Sequence, residues 1–175
     1  MTTYVALLHS IVLGPGKRVV MADLKAMTAE LGFDNPRTWV ATGNLIFEGD
    51  EAPIAEIESR LETGFRARFG KPVDIILRTA PAWKRIAAQN PFPDRNGAEI
   101  GIRVMRQPLG PEVLPGLEAY ATPDTALALV DGDLWIDFAG EPSEARLLSH
   151  LTTRKLGIGT LRNANTVKAL AAMLD

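Results

Sequence analysis

The sequence contains no cysteine and only two histidines, His9 and His150, and these shortages remove whole classes of chemistry. Without cysteine there is no disulfide, no thiol nucleophile and no thiolate metal ligand. The two histidines lie far apart in the sequence, so no His-x-x-x-His pattern predicts a zinc or iron site. We therefore expect no cofactor and no histidine-based metal site. Magnesium held by carboxylates is the one metal that composition leaves open.

Long apolar runs are also missing. None approaches the ~20 residues that a membrane-spanning helix needs, and no basic segment precedes the first apolar run as in a signal peptide. We expect a soluble, cytoplasmic protein that makes no contact with a membrane.

Positive charge is not in excess, since the formal net charge is −2. This balance argues against a broad surface for duplex nucleic acid, which would neutralise many phosphates. The charge is nevertheless uneven, because residues 142–175 carry five Lys/Arg against two Asp/Glu. Such asymmetry favours an anion in this segment, although it is also explained by two oppositely charged segments that face each other.

The first half of the chain predicts a β-α-β-β-α-β order. Residues 3–11 read as a strand, a helix begins near Met21 and ends at Gly32, and residues 37–41 and 45–48 form a hairpin. A helix from Pro53 to Gly70 and a strand over residues 73–77 complete the order. This order is typical of a ferredoxin-like unit.

The second half repeats much of that order. We expect a short helix over 83–88, a strand over 100–105, a helix over 111–119, strands over 125–130 and 133–138, a helix over 142–156 and a last helix. Asp131-Gly132 is a strong signal for a two-residue hairpin. The predicted fold class is α+β, with two ferredoxin-like (α-β plait) halves, residues 1–79 and 80–175, and antiparallel sheets.

The candidate functional residues centre on residues 157–167, where Gly157 and Gly159 precede a polar cluster and then an apolar helical stripe. A helix start exposes backbone N–H groups that bind anions, and Arg162, Asn163 and Thr166 add side-chain donors. A purely structural alternative is that Asn163 or Thr160 caps the helix and Arg162 pairs with an acidic residue.

Two other loops are weaker candidates. Lys17 and Arg18 follow a glycine-rich turn, which would either bind a phosphate or be a solvated surface turn. Asn44 would either reach a ligand or stabilise its own hairpin.

Asp133 and Asp137 should share one face of a strand. We expect them to solubilise an exposed surface rather than to form a catalytic pair.

The whole chain resembles the bacterial domain-of-unknown-function family 1697. The resemblance rests on short motifs in matching order, among them Tyr4-Val5-Ala6-Leu7-Leu8, Met21-Ala22-Asp23-Leu24, Leu31-Gly32-Phe33, Thr42-Gly43-Asn44-Leu45-Ile46-Phe47, Asn90-Pro91-Phe92 and Arg162-Asn163-Ala164-Asn165-Thr166-Val167. It implies two ferredoxin-like halves and no particular function. Two departures stand out: family members usually carry Arg-Gly-Ile-Asn where this chain has His9-Ser10-Ile11-Val12, and a tryptophan where it has Ala164. If the shared polar residues form a pocket, part of it is altered here.

Three functions remain open at this level. We favour a non-enzymatic protein that binds a small anion or nucleotide between the halves through Arg162, Asn163, Thr166, Asn44, Lys17 and Arg18. The second is an enzyme acting on a phosphorylated or carboxylated metabolite, with His9 or an aspartate transferring a proton. The third is an interaction module that forms a homodimer through a sheet edge or face.

Overall fold

The computed structural model describes residues 1–40 and 42–175. The chain divides into two compact units, Met1–Lys84 together with Met173–Asp175, and Arg85–Ala172. The division falls five residues after the predicted boundary at residue 79. The last three residues join the first unit, where Arg37 Nη1 donates to the carbonyl of Met173 at 2.9 Å and Lys84 pairs with Asp175 at 2.6 Å.

The first unit contains the predicted β-α-β-β-α-β order. Its elements are β1 (Thr2–Leu8), β2 (Val12–Gly14), β3 (Lys17–Arg18), α1 (Met21–Glu30), β4 (Asp34–Thr38), β5 (Asn44–Gly49), α2 (Ile54–Phe69) and β6 (Ile75–Thr79), followed by α3 (Ala80–Ala88) at the boundary. The main sheet is antiparallel with order β4-β5-β1-β6, and β2 and β3 form a small separate sheet. The plait prediction for this half is confirmed.

The core of the first unit follows from alternation along β1. Tyr4, Ala6 and Leu8 belong to a cluster with Leu24 of α1 and Leu61 of α2. The central strands also bury apolar side chains on the other face of the sheet, among them Val5, Leu7 and Ile46.

The first strand of the predicted hairpin lies earlier than expected. β4 ends at Thr38, and Val40 has a φ of +47°, which ends extended backbone. Trp39 and Val40 are exposed, while Ala41 of the predicted strand lies outside the described residues.

The edge strand β6 is covered by acidic side chains of α2. Glu62 Oε2 accepts a hydrogen bond from the Ile75 N–H at 3.0 Å, and Glu58 Oε2 accepts one from the Leu77 N–H at 3.0 Å. An uncovered edge would offer these donors to another chain. The carboxylates therefore satisfy two backbone donors and close this edge to strand pairing.

The second unit has the same topology as the first. Its elements are β7 (Ile100–Met105), α4 (Leu114–Glu118), β8 (Ala126–Val130), β9 (Asp133–Asp137), α5 (Thr153–Leu156), β10 (Gly159–Asn163) and α6 (Ala164–Ala172), with short 3₁₀ helices at Pro111–Val113, Pro142–Glu144 and Arg146–His150. The antiparallel order β10-β7-β9-β8 matches the first sheet strand for strand. Asp131 and Gly132 both have positive φ, as the predicted hairpin turn requires.

The continuous helix predicted over residues 142–156 is wrong. Two 3₁₀ turns and the single-turn helix α5 occupy this segment, with Ala145 in extended conformation between the turns. Arg103 binds the end of this segment, where its guanidinium donates to the carbonyls of Leu151 at 3.2 Å and Gly157 at 3.0 Å. Burial lowers the pKa of Arg103.

Within residues 1–40 and 42–175, every helix is too short or too polar to span a membrane. No group of three or more His, Cys, Asp or Glu side chains in the same ranges could hold a metal ion.

Glu58→Ala should destabilise the protein by about 1–3 kcal/mol, because it leaves the buried Leu77 N–H without this acceptor. Urea unfolding followed by circular dichroism measures the change. Ser59→Ala, at the exposed neighbouring position of α2, is the matched control and should stay within about 0.5 kcal/mol of the parent. Equal stabilities for the two variants would show that the carboxylate does not support the edge.

Candidate functional site

The predicted glycine turn before α6 is a strand in the structure. Residues 159–163 form β10, which pairs with β7 in register from Gly159 opposite Met105 to Asn163 opposite Gly101. A Cβ atom on Gly159 would lie 2.7 Å from Met105 Sδ and 2.9 Å from the carbonyl oxygen of Val104. This glycine therefore allows β10 to approach β7, rather than allowing a ligand to approach the backbone.

Arg162 lies within the fold, on the same sheet face as Ile102 and Trp135 according to the strand register. Its side chain is nearly buried, and Nη1 donates to Thr160 Oγ1 at 2.8 Å and to the carbonyl of Leu161 at 2.9 Å. Burial lowers the pKa of Arg162 to about 10, so the guanidinium remains protonated at neutral pH. Both of these hydrogen bonds join Arg162 to other residues of the edge strand β10.

The first unit has a counterpart of this arrangement in its own fourth strand. Arg78 follows Leu77 in β6 as Arg162 follows Leu161 in β10, and its Nη1 donates to the carbonyl of Leu77 at 3.1 Å. Each arginine precedes a polar residue and then a helix that begins with alanine. The Leu-Arg-Thr/Asn-Ala pattern therefore marks the same junction in both units, which favours a structural role for Arg162.

Asn163 caps α6, which agrees with the alternative that this residue serves as the helix N-cap. Its Oδ1 accepts a hydrogen bond from the Thr166 N–H at 2.8 Å, and Thr79 Oγ1 accepts one from the Ala82 N–H at 3.4 Å at the corresponding junction. The Ala164 N–H donates to the carbonyl of Gly97 at 3.2 Å. Two N-terminal donors of α6 are therefore already occupied, which leaves side chains to supply most of any anion contact.

The remaining predicted residues lie in the first unit. Asn44 is fully buried, and its Nδ2 donates to the carbonyl of Trp39 at 3.0 Å and to Thr42 Oγ1 at 2.9 Å, so that it holds its own turn. Lys17 and Arg18 are exposed on β3. Since Arg162, Asn163 and Thr166 belong to the second unit, a single site lined by both groups stays a prediction.

The two aspartates of β9 are buried, contrary to the expectation of an exposed acidic face. Asp133 Oδ1 accepts a hydrogen bond from the Met105 N–H at 2.8 Å, which extends the pairing of β7 with β9. Asp137 Oδ2 pairs with Arg95 Nε at 3.0 Å, while Oδ1 accepts from the Ala139 N–H at 2.9 Å. Each carboxylate is thus compensated by specific donors, as buried charges must be.

A cavity of about 470 Å³ lies in the second unit, beside the first turns of α6. Its wall combines the α3 end, the loop before β7 and α6, and it contains both apolar and polar groups: Ala87, Ala88, Asn90, Pro93, Arg95, Gly97, Trp135, Ala164, Asn165, Val167 and Lys168. Arg95 and Lys168 are its two charged lining residues among the described part of the chain. The cavity therefore carries two basic side chains, of which Arg95 is paired with Asp137 and Lys168 is not.

The two cations are placed by different means. Arg95 is anchored through Nε by the buried carboxylate of Asp137, and no hydrogen bond within residues 1–40 and 42–175 engages its Nη1 or Nη2. Lys168 projects from α6 one turn after Ala164 and is exposed, with no ion pair to any described residue. A forked donor and a point charge on one cavity can hold an oxyanion from two sides.

Gly97 allows the loop before β7 to lie close to α6. A Cβ atom at this position would lie 2.9 Å from Asn165 Cγ and still closer to Oδ1. Any side chain there would have to displace Asn165 from the cavity wall.

Sequence reasoning did not identify Arg95, Lys168 or Trp135 as site residues. The predicted Asn163 and Thr166 belong to the helix start that borders this cavity but do not line it, whereas Ala164, Asn165 and Lys168 do. The spacing of Ala164 and Lys168, four residues apart on one helical face, is the signal that could have found the lysine once the helix start was known.

The family model described as a protein of unknown function, DUF1697, matches residues 1–135. The chain belongs to the DUF1697 family. The match ends within β9, so the assignment does not depend on β10 or α6.

A solved structure supports the fold of this DUF1697 protein over its whole length. The conserved bacterial protein SP0830 from Streptococcus pneumoniae is 25% identical, matches over 99% of each chain and superposes with a TM-score of 0.76. A search of the curated proteins gives no match. The comparisons therefore establish family and fold.

Asn163→Ala should destabilise the protein by about 1 kcal/mol through loss of the α6 cap, whereas Asn163→Asp should retain most of the stability because aspartate accepts the same hydrogen bond. Denaturant unfolding of both variants beside the parent measures the difference. If alanine were as stable as aspartate at this position, Asn163 would not be the cap on which α6 depends.

Proposed function

We propose that this DUF1697 protein is a non-enzymatic binding protein for a small anion, and that the anion lies in the cavity beside α6. The observation that carries the proposal is the pair of cations, Arg95 and Lys168, on a cavity with no carboxylate among its described lining residues. A cytoplasmic location, expected from the sequence, is part of the proposal.

The position of Arg95 favours an oxyanion. Asp137 holds Nε, and this orients the guanidinium plane while the two Nη groups remain for a ligand. Asp137 is buried and also accepts a hydrogen bond from the Ala139 N–H, so its carboxylate is held at Nε and does not move to the Nη groups that an anion would bind. A phosphate or carboxylate matches the paired N–H groups of an arginine.

Neutral groups add to the same wall. The amide side chains of Asn90 and Asn165 line the cavity and supply donors and acceptors without further charge. The volume falls within the range of roughly 300–1,000 Å³ that is usual for small-molecule sites.

The exposure of Trp135 favours a compact anion over a nucleotide. Its side chain lines the cavity but is only 1% exposed, so the indole forms part of the floor and presents little ring surface. A nucleobase stacks on an accessible ring face. A compact phosphorylated or carboxylated metabolite therefore fits better, with a nucleotide as the larger member of the same ligand class.

The predicted residues of the second unit support this site indirectly. Asn163, through the Thr166 N–H, fixes where α6 begins, and Arg162 fixes the strand before it. Both thereby position Asn165 and Lys168 on the cavity. Participation of Asn44, Lys17 and Arg18 in anion binding stays a separate prediction for the first unit.

An enzyme is the second candidate, because His9 lines a cavity of its own in the first unit. This cavity of about 410 Å³ also has Lys71 and Asp74 on its wall, and His9 is exposed rather than packed in the core. Such a group could transfer a proton at a bound phosphorylated or carboxylated metabolite. Turnover of phosphomonoester or carboxylate ester substrates that His9→Gln abolishes would favour this function over simple binding.

A homodimeric interaction module is the third candidate. Pro36 in edge strand β4 and the carboxylates on edge strand β6 disfavour pairing through the first sheet, so β8 or β10 would have to supply the edge. A monomeric mass at high protein concentration would exclude this function.

Lys168→Ala should weaken the binding of inorganic phosphate at least tenfold while leaving stability unchanged, because the lysine is exposed and a charge-assisted hydrogen bond contributes about 1.5–3 kcal/mol. Isothermal titration calorimetry at low salt measures the dissociation constant. Arg154→Ala removes an exposed positive charge from α5 and is the matched control, expected to change the constant less than twofold. If both variants weakened phosphate binding equally, the loss would follow from the protein's net charge alone, and this would contradict a site at α6.

A further inference from the structure

A second group of basic side chains surrounds Tyr120 in the second unit. The rings of Tyr120 and His150 are stacked with centroids 3.4 Å apart and an interplanar angle of 12°. Arg146 Cζ lies 5.1 Å from the centre of the Tyr120 ring, and Lys155 Nζ lies 5.2 Å from it. Three basic side chains therefore share one aromatic ring.

Two cations of the group act on His150. Lys155 Nζ contacts His150 Nδ1 directly. Burial lowers the pKa of His150, and the charges of Lys155 and Arg146 lower it further. These two cations act from α5 and from the 3₁₀ helix Arg146–His150, while Tyr120 faces the ring from the end of α4. Glu112 lies before α4 and lines the neighbouring cavity. Within residues 1–40 and 42–175 it forms no ion pair with Lys155 or Arg146.

That neighbouring cavity is largely apolar. It encloses about 380 Å³, and Tyr120 and Lys155 lie on its wall together with Val113, Leu117 and Leu156. A ligand at this place would meet aliphatic side chains, with Tyr120 and Lys155 connecting the cavity wall to the basic group and Glu112 on the same wall. The geometry is that of a site for an amphiphilic anion.

We propose that the Tyr120–His150 group binds the dianionic head of a small phosphomonoester whose apolar body occupies the adjacent cavity, and that binding is coupled to protonation of His150. The ligand supplies the negative charge that Arg146, Lys155 and a protonated His150 lack. This site is independent of the one at Arg95 and Lys168, so each can fail without the other.

The coupling has a definite sign. Without ligand, the two neighbouring cations disfavour the imidazolium form, which keeps His150 neutral to lower pH than usual. A bound dianion favours the imidazolium and raises the pKa. By linkage, dianion affinity must then rise as the pH falls through the ligand-bound pKa of His150.

Sulfate is a suitable first probe because its charge stays at −2 across the pH range of histidine titration. The pKa of His150 is read from its imidazole NMR signals, assigned with His150→Gln, with and without saturating sodium sulfate at matched ionic strength. We expect a rise of about one unit, which corresponds to about tenfold tighter binding to the protonated form. Sulfate affinity should rise between pH 8 and pH 5.5 in the parent and stay flat in His150→Gln. An unchanged His150 titration would overturn the proposal.

Variants separate this group from general surface charge. Lys155→Ala and Arg146→Ala should each weaken sulfate binding at pH 5.5 severalfold, and Arg154→Ala, an exposed cation beside Lys155 in α5, should not. The parent and all three variants should unfold at similar urea concentrations, since these arginine and lysine side chains are exposed. Equal weakening by Arg154→Ala would contradict a localised site.

Phenyl phosphate tests the apolar half of the proposal. It should bind at least severalfold more tightly than inorganic phosphate at the same pH, and it should perturb NMR signals of Val113 and Leu117 that inorganic phosphate leaves unchanged. Equal affinities, with no change at these side chains, would contradict occupation of the apolar cavity by the ligand body.

Discussion

The position of the candidate anion site depends on one junction, the point where edge strand β10 ends and α6 begins. Asn163 accepts the Thr166 N–H and Gly97 accepts the Ala164 N–H, so the helix starts immediately after the strand. A shift of one residue would rotate Lys168 by about 100° away from the cavity. Asn163 and Thr166 therefore act mainly by placing Asn165 and Lys168 on the cavity wall.

Side chains bound to edge-strand backbone recur throughout the fold. Arg78 and Arg162 each bind the carbonyl that precedes them in the fourth strand of their unit, and Glu58 and Glu62 bind the N–H groups of β6. Asp133 likewise binds a strand N–H, that of Met105 at the end of the central strand β7. Many of the buried charges thus complete the sheets, which accounts for ionisable residues that would otherwise suggest catalysis.

The sequence predicted the elements whose signals are local. The bounds of β7 and the Asp131-Gly132 turn are as expected, since apolar composition and turn residues determine them. β10 was missed because Gly159, Thr160 and Arg162 lack apolar alternation and become a strand only through pairing with β7. The burial of Asp137 depends on Arg95, 42 residues away, and no local pattern reveals such a partner.

The most direct test of the account is a backbone NMR titration of the labelled protein with inorganic phosphate, which locates the anion without assuming which residues hold it. Amide signals of Arg95, Gly97, Asn165 and Lys168 should shift together with one dissociation constant. Shifts confined to Lys17, Arg18 and the turn at Asn44, with none beside α6, would contradict it.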